Sequence, residues 1–287
     1  MPKTRSAATP HPSGAAAPTS TATTTARISF RSRKIVKKPP AKPLTVATVP
    51  SPVPPIPVLP ALSAPGELAA ALRHLAAAEP LLSEVIASTD SPAFTSSPSL
   101  PAFHSLARSI LYQQLATSAA AAIYARFLAL LPSAAESPEP GVSPAAVLAL
   151  AATDLRAIGI SGRKAAYLHD LAARFAAGDL SESAVAAMDE DALLAQLTRV
   201  KGIGEWTVHM FMIFSLHRPD VLPSGDLGVR KGVQELYKLK ALPKPEEMAA
   251  LCDRWRPYRS VGAWYMWRLL ESKSAAAKKV KKGNASS

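Results

Sequence analysis

From Pro65 onward apolar residues recur at three- and four-residue intervals, and no stretch alternates as a strand would. Leu68, Leu72 and Leu75 share one face of a helix expected over 66–77, and Pro80 sits in the first turn of the next. Phe103, Leu106, Ile110 and Leu111 define a helix over 103–115 that ends in Tyr112-Gln113-Gln114-Leu115. Thr117 or Ser118 is placed to cap an alanine-rich helix reaching Leu131, and Ser143-Pro144 is a cap followed by proline at the first helical position. Helices over 153–158 and 164–175 follow, separated by Gly159-Ile160-Ser161-Gly162. Asp189-Glu190-Asp191 gathers acid at the start of a helix to Arg199, where it suits the helix dipole. Further helices are expected over 205–216, from Asp226, over 245–255 and over 258–271. The pattern predicts an all-α fold with short connections.

Both ends break this pattern. Residues 1–62 are built of Ala, Ser, Thr and Pro with scattered Lys and Arg, and bury too little apolar surface to offset the entropy of ordering. The expected layout is a disordered basic tail over 1–62, a helical domain over 63–271 and a disordered lysine-rich tail over 272–287. Charge follows the same division. Residues 1–66 hold nine Lys/Arg and no acid, and residues 272–287 hold five Lys and no acid, which accounts for the chain's net +12. The stretch 67–271 carries 19 basic and 21 acidic side chains, a net of −2. Bulk charge therefore does not make the folded part a nucleic-acid binder. Any such attraction in that part would have to come from local arrangement, with the tails adding a sequence-blind pull.

Arg31-Ser32-Arg33-Lys34 with Lys37-Lys38 reads as a nuclear-import patch, and the acid-free, Ser/Thr-rich start reads equally as an organelle transit peptide. Lys278-Lys279-Val280-Lys281-Lys282, which a transit peptide does not explain, inclines the expectation to the nucleus. The lone Cys252 excludes an internal disulfide and any four-cysteine cluster, and suits a reducing compartment. No run approaches the ~18 apolar residues of a membrane span, so no membrane partner is expected.

The candidate chemistry lies between Leu197 and Val233. Lys201-Gly202-Ile203-Gly204 is a tight turn just before a helix, the arrangement in which free backbone N–H groups and the helix dipole together attract a phosphate. Downstream, Pro223 and Gly225 break the chain before Asp226, a lone carboxylate opening another helix. Taken alone, Asp226 reads as an ordinary N-cap. The same placement also fixes a negative charge beside a backbone N–H array, which suits stabilising a developing cation.

Val200-Lys201-Gly202-Ile203-Gly204-Glu205-Trp206-Thr207 and Leu222-Pro223-Ser224-Gly225-Asp226-Leu227 together resemble the helix-hairpin-helix DNA glycosylases, in their alkyl-base (3-methyladenine) branch. Tyr112-Gln113-Gln114-Leu115 and Trp255-Arg256-Pro257-Tyr258-Arg259-Ser260 match the same pattern, and the resemblance covers residues 66 to 271. It implies a two-lobed helical fold with the active-site cleft between the lobes. It makes Asp226 the catalytic aspartate, and Trp206, Tyr112, Trp255 and Tyr258 candidates for the base pocket. Lys201, Gly202, Ile203, Gly204 and Thr207 become the hairpin that grips DNA, with Leu115 the candidate wedge and Gln114 beside it. The implied partner is double-stranded DNA containing alkylated bases, bound by a monomer. No cofactor and no metal-binding side chains are implied, although hairpin carbonyls in this family can hold a monovalent cation.

Two absences bear on mechanism. No second carboxylate is placed to protonate a leaving group, and an alkylated purine, already cationic, leaves without one. Lyase-type relatives carry a nucleophilic lysine where this chain has Trp206, which leaves water as the attacker. Trp206 also offers an electron-rich face to a cationic base. The alternatives are a non-catalytic helix-hairpin-helix DNA-binding module, with Asp226 only a cap, and a glycosylase for oxidised bases. A pure clamp has no use for a base pocket or a wedge.

Overall fold

Two separate apolar clusters organise the helices. The computed structural model describes residues 59–96, 99–132 and 141–284, with side chains described through residue 274. Among these residues the regular structure is helical, with no strand. The chain runs α1 (Glu67–Ala78), α2 (Pro80–Ser88), α3 (Ala102–Tyr112), α4 (Thr117–Ala129), α5 (Pro144–Ala149), α6 (Ala152–Ala157) and α7 (Gly162–Ala176). It continues through α8 (Glu182–Ala187), α9 (Glu190–Leu197), α10 (Glu205–Phe214), α11 (Leu227–Leu236), α12 (Pro245–Leu251) and α13 (Arg259–Asn284).

Helices α3 to α10 enclose the first cluster, in which Phe103, Leu106, Phe127, Leu168 and Phe211 are buried. Helices α1, α2 and α11 to α13 enclose the second, around Leu75, Leu82, Val233, Trp255 and Tyr265. The chain thus begins in one lobe, crosses to the other at α3, and returns between α10 and α11. Phe94 and Trp267 pack against both clusters and mark the seam. Helices α11 and α13 approach closely: a Cβ on Gly232 would lie 2.8 Å from the Met266 carbonyl oxygen, so only glycine lets the two backbones meet.

Several caps read from the sequence form. Ser143 accepts from the Ala146 amide at 3.2 Å and Asp189 from the Ala192 amide at 2.8 Å. Others do not. Thr117 is already the first helical residue, and α4 begins after Ala116 with no side-chain cap. Helix α3 stops at Tyr112, because Gln113 turns extended and Gln114 takes a left-handed φ of 56°. The short α8 is absent from the sequence expectation; Ser181 caps it through the Ala184 amide.

The expected boundaries also move. Leu62 is buried and its N–H donates to the His217 carbonyl at 2.8 Å, so the folded part begins before residue 63. At the other end α13 continues through Asn284, so 272–284 is helix and not a disordered tail. Ser274-Ala275-Ala276-Ala277-Lys278-Lys279 is rich in strong helix formers, which carries the helix past the packed core. The basic patch at 31–38 lies outside the described residues, and no described helix is long and apolar enough to cross a membrane.

Candidate active site

Asp226 is the N-cap of α11: its Oδ1 accepts from the Val229 amide at 2.7 Å. A cap needs no more than that, yet two further donors reach the same carboxylate. The Trp267 indole N–H donates to Oδ1 at 2.9 Å and the Trp206 indole N–H to Oδ2 at 2.7 Å. Trp206 comes from α10 in the first lobe and Trp267 from α13 in the second, so the carboxylate is clamped across the seam. Both oxygens are held in one orientation. Gly228 makes room for this: a Cβ there would lie 2.7 Å from Trp267 Cδ1 and 3.0 Å from Asp226 Oδ1.

The loop leading to Asp226 is anchored from the far side. Buried Arg259 grips Asp220, Nε to Oδ1 at 2.6 Å and Nη2 to Oδ2 at 3.1 Å, and reaches the Asp220 carbonyl at 3.0 Å. Ser260 Oγ donates to the Arg218 carbonyl at 2.6 Å and accepts from the Val221 amide at 3.0 Å. The Trp255-to-Ser260 motif is therefore a loop anchor and not a pocket wall. Trp255 is 0% exposed in the second core, against Gly262. The Tyr258 hydroxyl donates to Glu67 at 3.0 Å and its ring packs edge-on to His74. Both are removed from the cleft because their large apolar surfaces close the second lobe.

Beside Asp226 opens a cleft of about 450 Å³ lined by Trp206, Met210, Phe214, Trp264 and Trp267, and also by Arg268, whose guanidinium lies 5.3 Å over the Trp264 ring, and Glu271. Met210 and Phe214 also line an adjoining cavity of about 410 Å³, which Arg108 reaches from α3. Phe214 and Trp267 stack with centroids 5.8 Å apart, and Trp206 stays 54% exposed at the mouth. Aromatic faces beside a fixed carboxylate suit a flat, cationic guest. Trp267, Met210 and Phe214 are not singled out by the sequence motifs. The available signal is the spacing of Trp264 and Trp267 at i, i+3, which puts both indoles on one side of the last helix. Tyr112 does not line this cleft: it packs edge-on against Tyr124 and carries the Arg108 guanidinium 4.5 Å above its ring.

The glycine turn is built as expected, with one division of labour inside it. Gly202 has φ 81° and lies flat on Tyr167, where a Cβ would come within 2.1 Å of the ring. Gly204 opens α10, and a methyl group there would meet nothing within 4 Å, so its outer face is free. As at any helix start, the amides of Gly204, Glu205, Trp206 and Thr207 have no backbone acceptor among the described residues, an arrangement that suits an anion. Ile203 and the Thr207 side chain point inward, 4% and 8% exposed, so only their backbone is open to a ligand. Lys201 is exposed and its Nζ lies 3.8 Å from Asp170. Gln114 and Leu115 follow the end of α3, exposed and lining a cleft of about 260 Å³ with Ile123, Gly159 and Lys164, and Gln113 beside them reaches this turn. No group of His, Cys, Asp and Glu able to hold a metal occurs among the described residues.

A family model described as "HhH-GPD superfamily base excision DNA repair protein" matches residues 107–257, over half of the chain. The chain belongs to this superfamily. Within it, a putative DNA-3-methyladenine glycosylase of Bacillus subtilis is 30% identical over 169 residues, 59% of each chain. DNA-3-methyladenine glycosylase 1 of Schizosaccharomyces pombe is 32% identical over 167 residues, 58% of this chain and 71% of that one. The solved structure of a 3-methyladenine DNA glycosylase from the same yeast, in complex with abasic DNA, superposes with a TM-score of 0.56 at 28% identity, covering 69% of this chain and 95% of that one. The alignment spans little more than half the length of the Bacillus relative.

Proposed function

We propose that the protein is a monofunctional DNA glycosylase that extrudes alkylated purines of the 3-methyladenine type from duplex DNA and hydrolyses their N-glycosidic bond, beginning base-excision repair. The observation that carries this reading is the clamped carboxylate: Asp226, held by two indoles of opposite lobes, at the mouth of an aromatic cleft. The extruded cationic base stacks in the cleft. Its C1′–N bond breaks with the electron pair leaving on the base, which becomes neutral and needs no acid. Asp226 faces the oxocarbenium sugar, and water adds at C1′ with loss of a proton. Hairpin amides grip a phosphate, and Leu115 fills the gap left by the base. We read the protein as a monomer on duplex DNA, with no cofactor beyond a monovalent cation on the hairpin carbonyls, and nuclear on the strength of its basic ends.

Incubation with methylated DNA is expected to yield free bases and intact abasic sites. Asp226→Asn is expected to abolish release and keep DNA binding. Asn retains the cap to Val229, but its amide faces the Trp206 N–H, donor against donor, so stability is expected to fall by about 1 kcal/mol. Release at the wild-type rate would leave Asp226 only a cap and favour the non-catalytic module. Borohydride is expected to trap no protein–DNA adduct, because Trp206 stands where a lyase needs lysine. A stable adduct lost on Lys201→Ala would move the protein to the lyase branch.

A further inference from the structure

One face of α7 holds both DNA-facing devices. Lys164, Tyr167, Asp170 and Arg174 follow at spacings of three, three and four, and so line one side of the helix. The Lys164 ammonium donates to the carbonyls of Leu111 and Gln113, at 2.7 Å each. Tyr167 lies under Gly202, and Asp170 accepts the Lys201 amide at 2.9 Å. Arg174 donates to the Arg199 carbonyl at 2.9 Å and to Asp170 at 3.2 Å. The Gln113 side-chain amide closes the circuit by donating to the Gly202 carbonyl at 2.8 Å.

Lysine at a helix end usually reaches the last carbonyls from solvent. Lys164 instead is half-buried, burial lowers its pKa, and no carboxylate lies within ion-pair distance among the described residues. Its two bonds hold the last turn of α3 from a neighbouring helix, which an ordinary cap does not do. The segment it fixes is itself strained: Gln114 is a non-glycine residue at φ 56°, next to a leucine left 40% exposed. Locking Gln113 in place holds that strained turn, with Leu115 exposed beside it.

We propose that Lys164 is a positioning residue for base extrusion: with the Gln113 amide it joins the 113–115 wedge and the glycine hairpin into one rigid body on α7. Seating the hairpin on the DNA backbone then delivers Leu115 to the base stack. This inference rests on the glycosylase reading above. It requires that the loss caused by disturbing Lys164 depend on whether the base must still be extruded.

The test is single-turnover base release by the full chain from two duplexes. One carries the alkylated purine in a normal pair, the other opposite an abasic analogue, where extrusion costs little. Lys164→Met keeps the stem and removes the donors. It is expected to slow release about tenfold or more from the paired lesion and within about twofold from the unpaired one, since the wedge acts on extrusion alone. Lys164→Arg, which keeps the donors, is expected to recover most of the rate. Gln113→Leu breaks only an exposed bond and is expected to show the same substrate dependence, more weakly, which keeps the test open if Lys164→Met fails to fold. Equal losses on both duplexes, or none, would overturn the proposal while leaving the glycosylase reading intact. Absence of release by the wild-type chain from either duplex would remove both.

Discussion

Around Asp226 a single missing methyl group decides whether the carboxylate is held. Gly228 sits two residues into α11, where alanine is the better helix former by up to ~1 kcal/mol. Its place here is explained by Trp267, whose indole occupies the space a Cβ would take. Gly228→Ala is therefore expected to leave the fold intact and displace Trp267 from Oδ1. Base release should fall about tenfold or more, the scale of losing one donor to a charged group. Trp267→Phe should match it, because both remove the same N–H. A full rate in Trp267→Phe would show that the ring and not the bond matters. Asp226 was legible because the Pro/Gly break isolates a carboxylate at a helix start. Trp267 was not, since its role depends on α11 and α13 meeting at Gly232, a contact no local pattern announces. Trp255 misled for the converse reason: an aromatic among arginines reads as a binding surface, while its burial comes from helices distant in sequence.

At the level of elements, the hairpin separates folding from binding within three residues. Gly202 is required by its own φ and by Tyr167, so substitution there strains the chain before DNA is met. Gly204 has φ −103° and open space, so valine is tolerated by the protein. Gly204→Val is expected to keep the melting temperature within a few degrees and to weaken damaged and undamaged duplex by the same factor, as read by titration of both. A loss confined to damaged DNA would assign the turn to the base pocket instead. Helix identities were legible wherever a 3.6-residue apolar period ran on, as in α3, α7 and α11. Ends were less so. Helix α3 stops three residues early because Lys164, Gln113 and the hairpin pull its last turn open, and α13 runs on because alanine and lysine need no core to stay helical.

Across the whole molecule the two-lobed plan forces histidines into the interior, and this gives the fold a pH dependence. His104, His209 and His217 all have pKa values lowered, in each case chiefly by burial. The folded state therefore takes up protons less readily than the unfolded chain. The stability these neutral rings provide is complete above the unfolded value near 6.5 and is lost as pH falls toward the lower folded values. Glu190, 3.7 Å from His209, has its pKa raised by burial and so acts in the opposite sense, but one carboxyl then stands against three rings. The melting temperature is expected to fall between pH 7 and about 5.5, and His209→Gln to flatten part of the slope, because His209 lies 5% exposed on α10, facing Glu190. A melting temperature flat across the interval would show that the fold does not hold the three rings neutral.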